Sequence, residues 1–112
     1  MPDGRTVAGV ASRHDEPLID EVALLAARRA EIALDAARER GHDRWAAFLG
    51  PLPDRLRDEP VGGLRSVVVR ARAAFGPKDS IRDVLPSEVT EPLLESLDRL
   101  VRALNRRDAQ GR

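Results

Sequence analysis

The stretch that decides the fold is LLESLDRLVRAL, residues 93–104. Leucines recur in it at spacings of three and four residues, which places them on one face of a helix. That face is formed by Leu93, Leu97, Leu100 and Leu104. Leu94 and Val101 lie beside it and widen the apolar stripe. The stretch therefore predicts an amphipathic helix that packs against other helices.

Composition points to the same fold class. The chain has 112 residues, which is enough for one domain. Apolar residues make up 42% of it, but aromatic residues only 3%, so the core must consist of Leu, Val, Ile and Ala. Such a core suits helices packed on helices. We therefore expect an all-α, compact bundle of three to four helices over residues 15–105, with flexible termini: a leader (1–14) and a polar tail (106–112).

The first predicted helix runs from about Glu16 to Arg40. Asp15 is expected to cap its first turn, because a carboxylate there accepts a bond from a free backbone N–H. Gly41 is expected to end it, since glycine adopts the left-handed conformation without steric cost. The expected inward stripe consists of Leu18, Val22, Leu25, Ala26, Ile32, Ala33 and Ala36.

The second helix is expected to begin near Asp43 and to be kinked. The run Gly50-Pro51-Leu52-Pro53 interrupts it, because proline lacks a backbone donor and clashes with the preceding turn. Trp45, Phe48 and Leu49 share one face before this kink. As the largest apolar group in a core short of aromatic residues, Trp45 is expected to be buried against the last helix.

Residues 60–75 allow two interpretations. Leu64, Val67, Val68 and Ala71 fit one face of a helix, whereas the alternation from Val67 to Phe75 and the run of three valines fit a strand. We favour the helix because the segment is long and rich in alanine, and because no partner strand is evident elsewhere in the chain.

The longest break in the helical pattern is FGPKDSIRDV, residues 75–84. Its Ser-x-x-Asp sequence, residues 80–83, is a signal for the start of a helical turn. Phe75, Ile81 and Val84 are expected to anchor the segment in the core. We expect its outward charges to form the edge of a partner-binding face: Lys78, Asp79, Arg82 and Asp83. The alternative is a plain connection between helices.

Several chemistries are excluded or disfavoured. The chain has no cysteine, which excludes disulfides and cysteine nucleophiles and favours the cytoplasm. His14 and His42 lack partners at metal-ligand spacing, and Gly62-Gly63 lacks the ending of a phosphate-binding loop. No apolar run approaches the ~20 residues of a membrane span. We therefore expect a cytoplasmic protein that is not an enzyme, needs no cofactor or metal, and has no membrane partner.

The charges fall into two adjacent blocks. Residues 60–78 carry a net charge of +4 and residues 79–101 a net charge of −4. These blocks could pair within the fold or present a bipolar surface to a partner. The basic block also allows a small nucleic-acid-binding regulator that uses Arg65, Arg70 and Arg72. The balanced overall charge and the lack of stacking aromatic residues beside these arginines make nucleic acid the weaker alternative.

The order of features across residues 41–104 resembles a family of small uncharacterised bacterial helical domains. Their pattern is Trp-Ala-x-x-Leu, a Gly-Leu pair, Phe-Gly-Gly-Met-Gly-Ser-x-Asn-Asp-Leu and a leucine-rich helix. This chain has Trp45-Ala46-x-x-Leu49, Gly63-Leu64, Phe75-Gly76 and then Ser80-Ile81-Arg82-Asp83-Val84. It departs at residues 77–79, where the family has Gly-Met-Gly, and at Arg82, where the family has Asn. The resemblance implies a fold and no reaction.

Taken together, these features make a non-enzymatic protein–protein interaction module the leading hypothesis. An accessory protein of the immunity type, encoded beside a larger partner, would fit the length of the chain. The last helix also predicts a homodimer, in which Leu94 and Val101 form the contact while the leucine stripe stays inside the bundle.

Overall fold

The computed structural model describes residues 12–77 and 79–110, and their regular structure is entirely helical. The α-helices are α1 (Pro17–Glu39), α2 (Asp43–Leu49), α3 (Leu52–Asp58), α4 (Val61–Arg72) and α5 (Ser87–Gln110). Short 3-10 turns lie at Arg13–Asp15, Ala73–Phe75 and Ile81–Asp83. No strand is present in these two ranges, so the predicted all-α class is confirmed. If the bent α2–α3 element is taken as one helix, the described part of the chain has four.

Contacts between the two long helices show how they run. Arg107, near the end of α5, contacts Glu16, just before α1, at 3.1 Å. Arg29, in the middle of α1, donates to the carbonyl of Pro92 near the start of α5. The two helices are therefore antiparallel. The leucine stripe of α5 is buried as predicted: Leu93, Leu97, Leu100 and Leu104.

Helix α1 has the predicted boundaries to within a residue, but its start is built differently. Glu16, not Asp15, occupies the capping position, and its side chain makes no capping bond. Asp15 instead belongs to the preceding turn, in which the Ser12 hydroxyl accepts from the His14 N–H. The expectation that Asp15 caps α1 is therefore wrong, because the chain makes a separate short turn before the helix.

Arg13 ties this turn to the helical domain. Its guanidinium donates to the Asp20 carboxylate at 2.8 Å and to the carbonyls of Leu56 and Glu59, at the end of α3, at 2.9 Å each. A cation is favourable there because the last carbonyls of a helix are unpaired and partly negative. Arg13, which the sequence placed in the leader, therefore contacts α1 and the end of α3. Residues 1–11 of the predicted leader lie outside the described residues.

The buried face of α1 agrees with the predicted one only in part, since Ala26, Ala33 and Ala36 are buried as predicted. Leu18 and Ile32, expected inside, are 66% and 51% exposed. The face that is buried consists mainly of alanines: Ile19, Ala23, Ala26, Ala27, Ala30, Ala33, Leu34, Ala36 and Ala37. Helix α1 packs against α5, α3 and α2, and small side chains allow all three helices to approach it closely. We call this face the alanine seam.

Gly41 ends α1 as predicted. Its φ is +69°, in the left-handed region that glycine adopts without steric cost. The N–H of His42 donates to the carbonyl of Ala37 at 2.9 Å, and the N–H of Gly41 donates to that of Arg38 at 3.1 Å. These two bonds satisfy the carbonyls at the helix end and reverse the chain. Helix α2 consequently packs back onto α1.

The predicted kink lies between α2 and α3. Gly50 and Pro51 both keep right-handed helical angles, so α2 and α3 form one bent element. The second piece begins at Leu52, within the proline-containing run, because proline fits the first turn of a helix. Trp45 is buried, at 8% exposure, as predicted. Its helix packs chiefly on α1.

Residues 61–72 form a helix, which resolves the helix-or-strand ambiguity. Val67 and Val68 are both buried although they are adjacent, whereas Val69 is 59% exposed. That pattern suits a helix, because a strand would bury Val67 and Val69 together. A 3-10 turn extends the element to Phe75.

Helix α5 is longer than predicted. It continues to Gln110, whereas the sequence suggested a polar tail from residue 106; residues 111–112 lie outside the described residues. Ion pairs hold its last turns: Arg107 contacts Glu16, and Asp108 accepts from Arg65 of α4 at 2.7 Å. No helix in the described ranges is long and apolar enough to cross a membrane.

Candidate functional site

The segment singled out in the sequence, residues 75–84, is ordered around a capping box. The Ser80 hydroxyl accepts from the N–H of Arg82 at 3.1 Å, and the Asp83 carboxylate accepts from the N–H of Ser80 at 3.2 Å. Ile81 is fully buried, and Phe75 and Val84 pack against the core from partly buried positions. The predicted start signal and anchors are thus confirmed.

The charges predicted to bind a partner have unequal roles. Asp83 caps the Ser80 turn, and both oxygens of Glu91 accept from the Arg82 guanidinium at 2.8 Å. Asp79 is exposed and has a φ of +50°, which a non-glycine residue rarely adopts. Lys78 lies outside the described residues. Partner binding by these four residues stays a prediction, and Asp79 is the described member without an internal role.

Among the described residues, Glu91 and Arg82 have pKa values that depart clearly from their ordinary values, and the main cause is the hydrogen bonding between them. Hydrogen bonding from Arg82 lowers the pKa of Glu91, and the same bond raises that of Arg82. A carboxyl group whose pKa is lowered by folding stabilises the folded state at pH values above its ordinary pKa. This contribution is lost as the pH falls through the lowered pKa.

We expect Arg82→Gln to raise the pKa of Glu91 toward its ordinary value in a carboxyl NMR titration. The stability difference between the parent and this variant should be present at neutral pH and vanish on acidification below the lowered pKa. Arg106→Gln, a change at an exposed arginine of α5, is the control and should leave the Glu91 titration where it is. An identical Glu91 titration in the parent and Arg82→Gln would contradict the pairing.

A different surface has the shape of a binding site. Two grooves, of about 320 and 440 Å³, both have Phe48 in their lining. The first is lined by Ala47, Phe48, Pro51, Leu52, Arg55, Val67, Arg70 and Ala71. The second is lined by Arg44, Trp45, Phe48, Ala73, Ala74 and Asp79. We call both together the Phe48 groove.

Local sequence explains why the groove exists. Trp45 and Phe48 are three residues apart on α2, and their rings meet edge to face at 5.7 Å between centroids. The bend at Gly50 and Pro51 turns α3 away just after Phe48 and leaves that ring partly exposed. Across the groove, α4 presents the short side chains of Val67 and Ala71 together with the longer Arg70.

The charges around the Phe48 groove are mostly basic. The guanidinium of Arg44 lies 4.9 Å from the centroid of the Trp45 ring, a cation–π contact. Arg55 and Arg70 border the other side. Within residues 12–77 and 79–110 these three arginines form no ion pair. Asp79 is the acidic residue at the rim.

Two other arginines of α4 are paired with acids of α5. Arg65 pairs with Asp108 at 2.7 Å and Arg72 with Asp98 at 2.9 Å, both joining α4 to α5. The Arg72–Asp98 pair therefore joins the +4 and −4 blocks within the fold, which was one of the two alternatives, whereas Asp108 lies outside the acidic block. Of the three arginines proposed for nucleic acid, Arg70 alone borders the Phe48 groove.

The described residues bring together no group of three or more side chains able to hold a metal ion. No protein-family model, curated protein or solved structure matches the chain. The resemblance to small bacterial domains therefore stays a prediction that rests on its residues alone.

Proposed function

We propose that the protein is a non-enzymatic interaction module whose Phe48 groove binds an acidic segment of another protein. The main support for this proposal is that the side chains around this open apolar groove are mostly positively charged. Arg44, Arg55 and Arg70 border it without an ion-pair partner in the described ranges, whereas Arg65 and Arg72 have one.

The chemistry of the groove defines the segment that would fit. Its apolar floor would take a large side chain such as Leu or Phe, since burial of apolar surface drives association. Each flanking guanidinium can bind a carboxylate with two parallel hydrogen bonds. An apolar side chain flanked by Asp or Glu would thus satisfy both features. The helices that line the groove are packed in the core, which limits the ordering cost of binding.

An accessory role of the immunity type remains part of this proposal. Such a protein needs a preformed surface of one dominant charge to select its larger partner, and the Phe48 groove offers one. Asp79, one of the charges expected at the edge of a partner-binding face, would then lie at the edge of the contact. Nucleic acid is the weaker candidate, because two of its three proposed arginines are neutralised by acids of α5.

Selection of a displayed library of random peptides against the full chain tests the proposal. We expect enrichment of peptides that combine Leu or Phe with neighbouring Asp or Glu. The double change Arg55→Glu/Arg70→Glu should weaken binding of the best peptide by about tenfold or more, or about 1.4 kcal/mol. Arg38→Glu/Arg40→Glu is the matched control, because it removes the same charge from exposed positions around the end of α1, outside the groove.

Three results would contradict this function. The first is enrichment of basic peptides, and the second is equal binding by both double variants. The third is a single-stranded oligonucleotide that binds the parent chain and displaces the selected peptide, which would favour the nucleic-acid alternative.

A further inference from the structure

Helix α1 carries an apolar stripe that faces away from the core. Leu18, Leu25 and Ile32 lie seven residues apart, and this spacing keeps them on one side of a helix over about 21 Å. Leu18 is 66% and Ile32 is 51% exposed, and Leu25 between them is partly buried. Leu24, beside Leu25, is 43% exposed. Exposed apolar surface of this extent on one helix commonly marks an interaction site.

The centre of the stripe lies in a shallow groove that has a charge at either end of Leu25. The groove is lined by Glu21, Val22, Leu24, Leu25 and Arg28 of α1 and by Arg99 of α5. Glu21 is four residues before Leu25 and Arg28 three residues after it, so both lie on the same side of the helix as Leu25. Both are exposed, and neither forms an ion pair within the two described ranges.

We propose that this stripe binds the same stripe of a second copy, with the two α1 helices antiparallel about a twofold axis at Leu25. In this register Leu25 meets its counterpart and Leu18 meets Ile32 of the partner chain. Glu21 of each chain then faces Arg28 of the other. A twofold interface uses the same patch on both copies, so each contact occurs twice. The stripe is thus complementary to itself in both apolar pattern and charge.

Charge complementarity favours a second copy over other occupants. An anionic membrane surface would attract a stripe flanked by cations alone, and an acidic or a basic partner would match one end of the groove only. The presence of both signs, placed symmetrically about Leu25, suits an antiparallel copy. This surface shares no residue with the Phe48 groove, so self-association would leave that groove open on both copies.

Analytical ultracentrifugation of charge-reversal variants tests the interface. We expect the parent chain to show a concentration-dependent rise from the mass of one chain to twice that mass. Glu21→Arg places Arg against Arg, and Arg28→Glu places Glu against Glu, twice in each homodimer. Each variant should therefore raise the dissociation constant by about tenfold or more. Both changes are at exposed positions, so circular dichroism should show folded helices in each.

An equimolar mixture of Glu21→Arg and Arg28→Glu is the decisive sample. In this mixture the Glu21→Arg chain has arginine at both positions, and the Arg28→Glu chain has glutamate at both. Each charge pair across a heterodimer then joins opposite charges, so a heterodimer should form near the parent affinity. A parent chain that stays monomeric at high micromolar concentration overturns the proposal. So does a mixture that stays monomeric, or a dimer that dissociates on Leu94→Lys/Val101→Lys in α5 and tolerates both changes in α1.

Discussion

Replacing Trp45 with Ala is expected to lower the free energy of unfolding by about 3–5 kcal/mol. Trp45 is 8% exposed, and its ring contacts the Phe48 ring at 5.7 Å between centroids and the Arg44 guanidinium at 4.9 Å. Truncation removes the largest side chain of the core and leaves a cavity beside α1. A loss of this size is a large part of the total stability of a domain of this length.

Urea unfolding followed by circular dichroism measures this loss, since the tryptophan signal itself is removed. Trp45→Phe is the control: it keeps an aromatic ring in the site and should cost clearly less than Trp45→Ala. If Trp45→Ala unfolds at nearly the same urea concentration as the parent, Trp45 does not belong to the core. Because Trp45 also lines the Phe48 groove, Trp45→Phe should affect peptide binding more than stability.

The sequence predicts the fold well where one helix face is clearly more apolar than the others. The leucine stripe of α5 has no competing face, and Gly41 and the Gly50-Pro51 bend leave the chain few alternatives. Helix α1 differs, because it has two apolar faces. One carries Leu18, Leu25 and Ile32, and the other is the alanine seam. Hydropathy ranks leucine above alanine, so the predicted stripe placed Leu18 and Ile32 inside together with alanines that are buried.

The candidate site was harder to predict for a related reason. The Phe48 groove joins side chains from α2, α3 and α4, and its existence depends on the bend that leaves the Phe48 ring partly uncovered. Sequence alone assigns Trp45 and Phe48 to the core, which accounts for their apolarity but not for the groove that they line. The charges of residues 79–83 were visible in the sequence. Their internal partners, Glu91 and the N–H of Ser80, were not.

The second large effect is expected from adding volume to the alanine seam. Ala30→Leu should lower the free energy of unfolding by about 3 kcal/mol, the upper end for overpacked cores. Ala30 is completely buried on a helix that packs against three others, so a larger side chain has no space to enter. Ala109→Leu, at an exposed position of α5, is the control and should change stability by less than about 0.5 kcal/mol.

Leu18→Ala completes this test, because it probes the opposite face of α1. At 66% exposure, Leu18 loses little contact within one chain when truncated, and unfolding measured at low protein concentration should change by less than about 1 kcal/mol. Burial of the alanine seam predicts a destabilised Ala30→Leu and a nearly unchanged Leu18→Ala, and burial of the leucine face predicts the reverse. A stable Ala30→Leu together with a strongly destabilised Leu18→Ala would mean that the leucine face is the buried one. The reverse result places the alanine seam inside, and it leaves Leu18 and Ile32 exposed for a second copy.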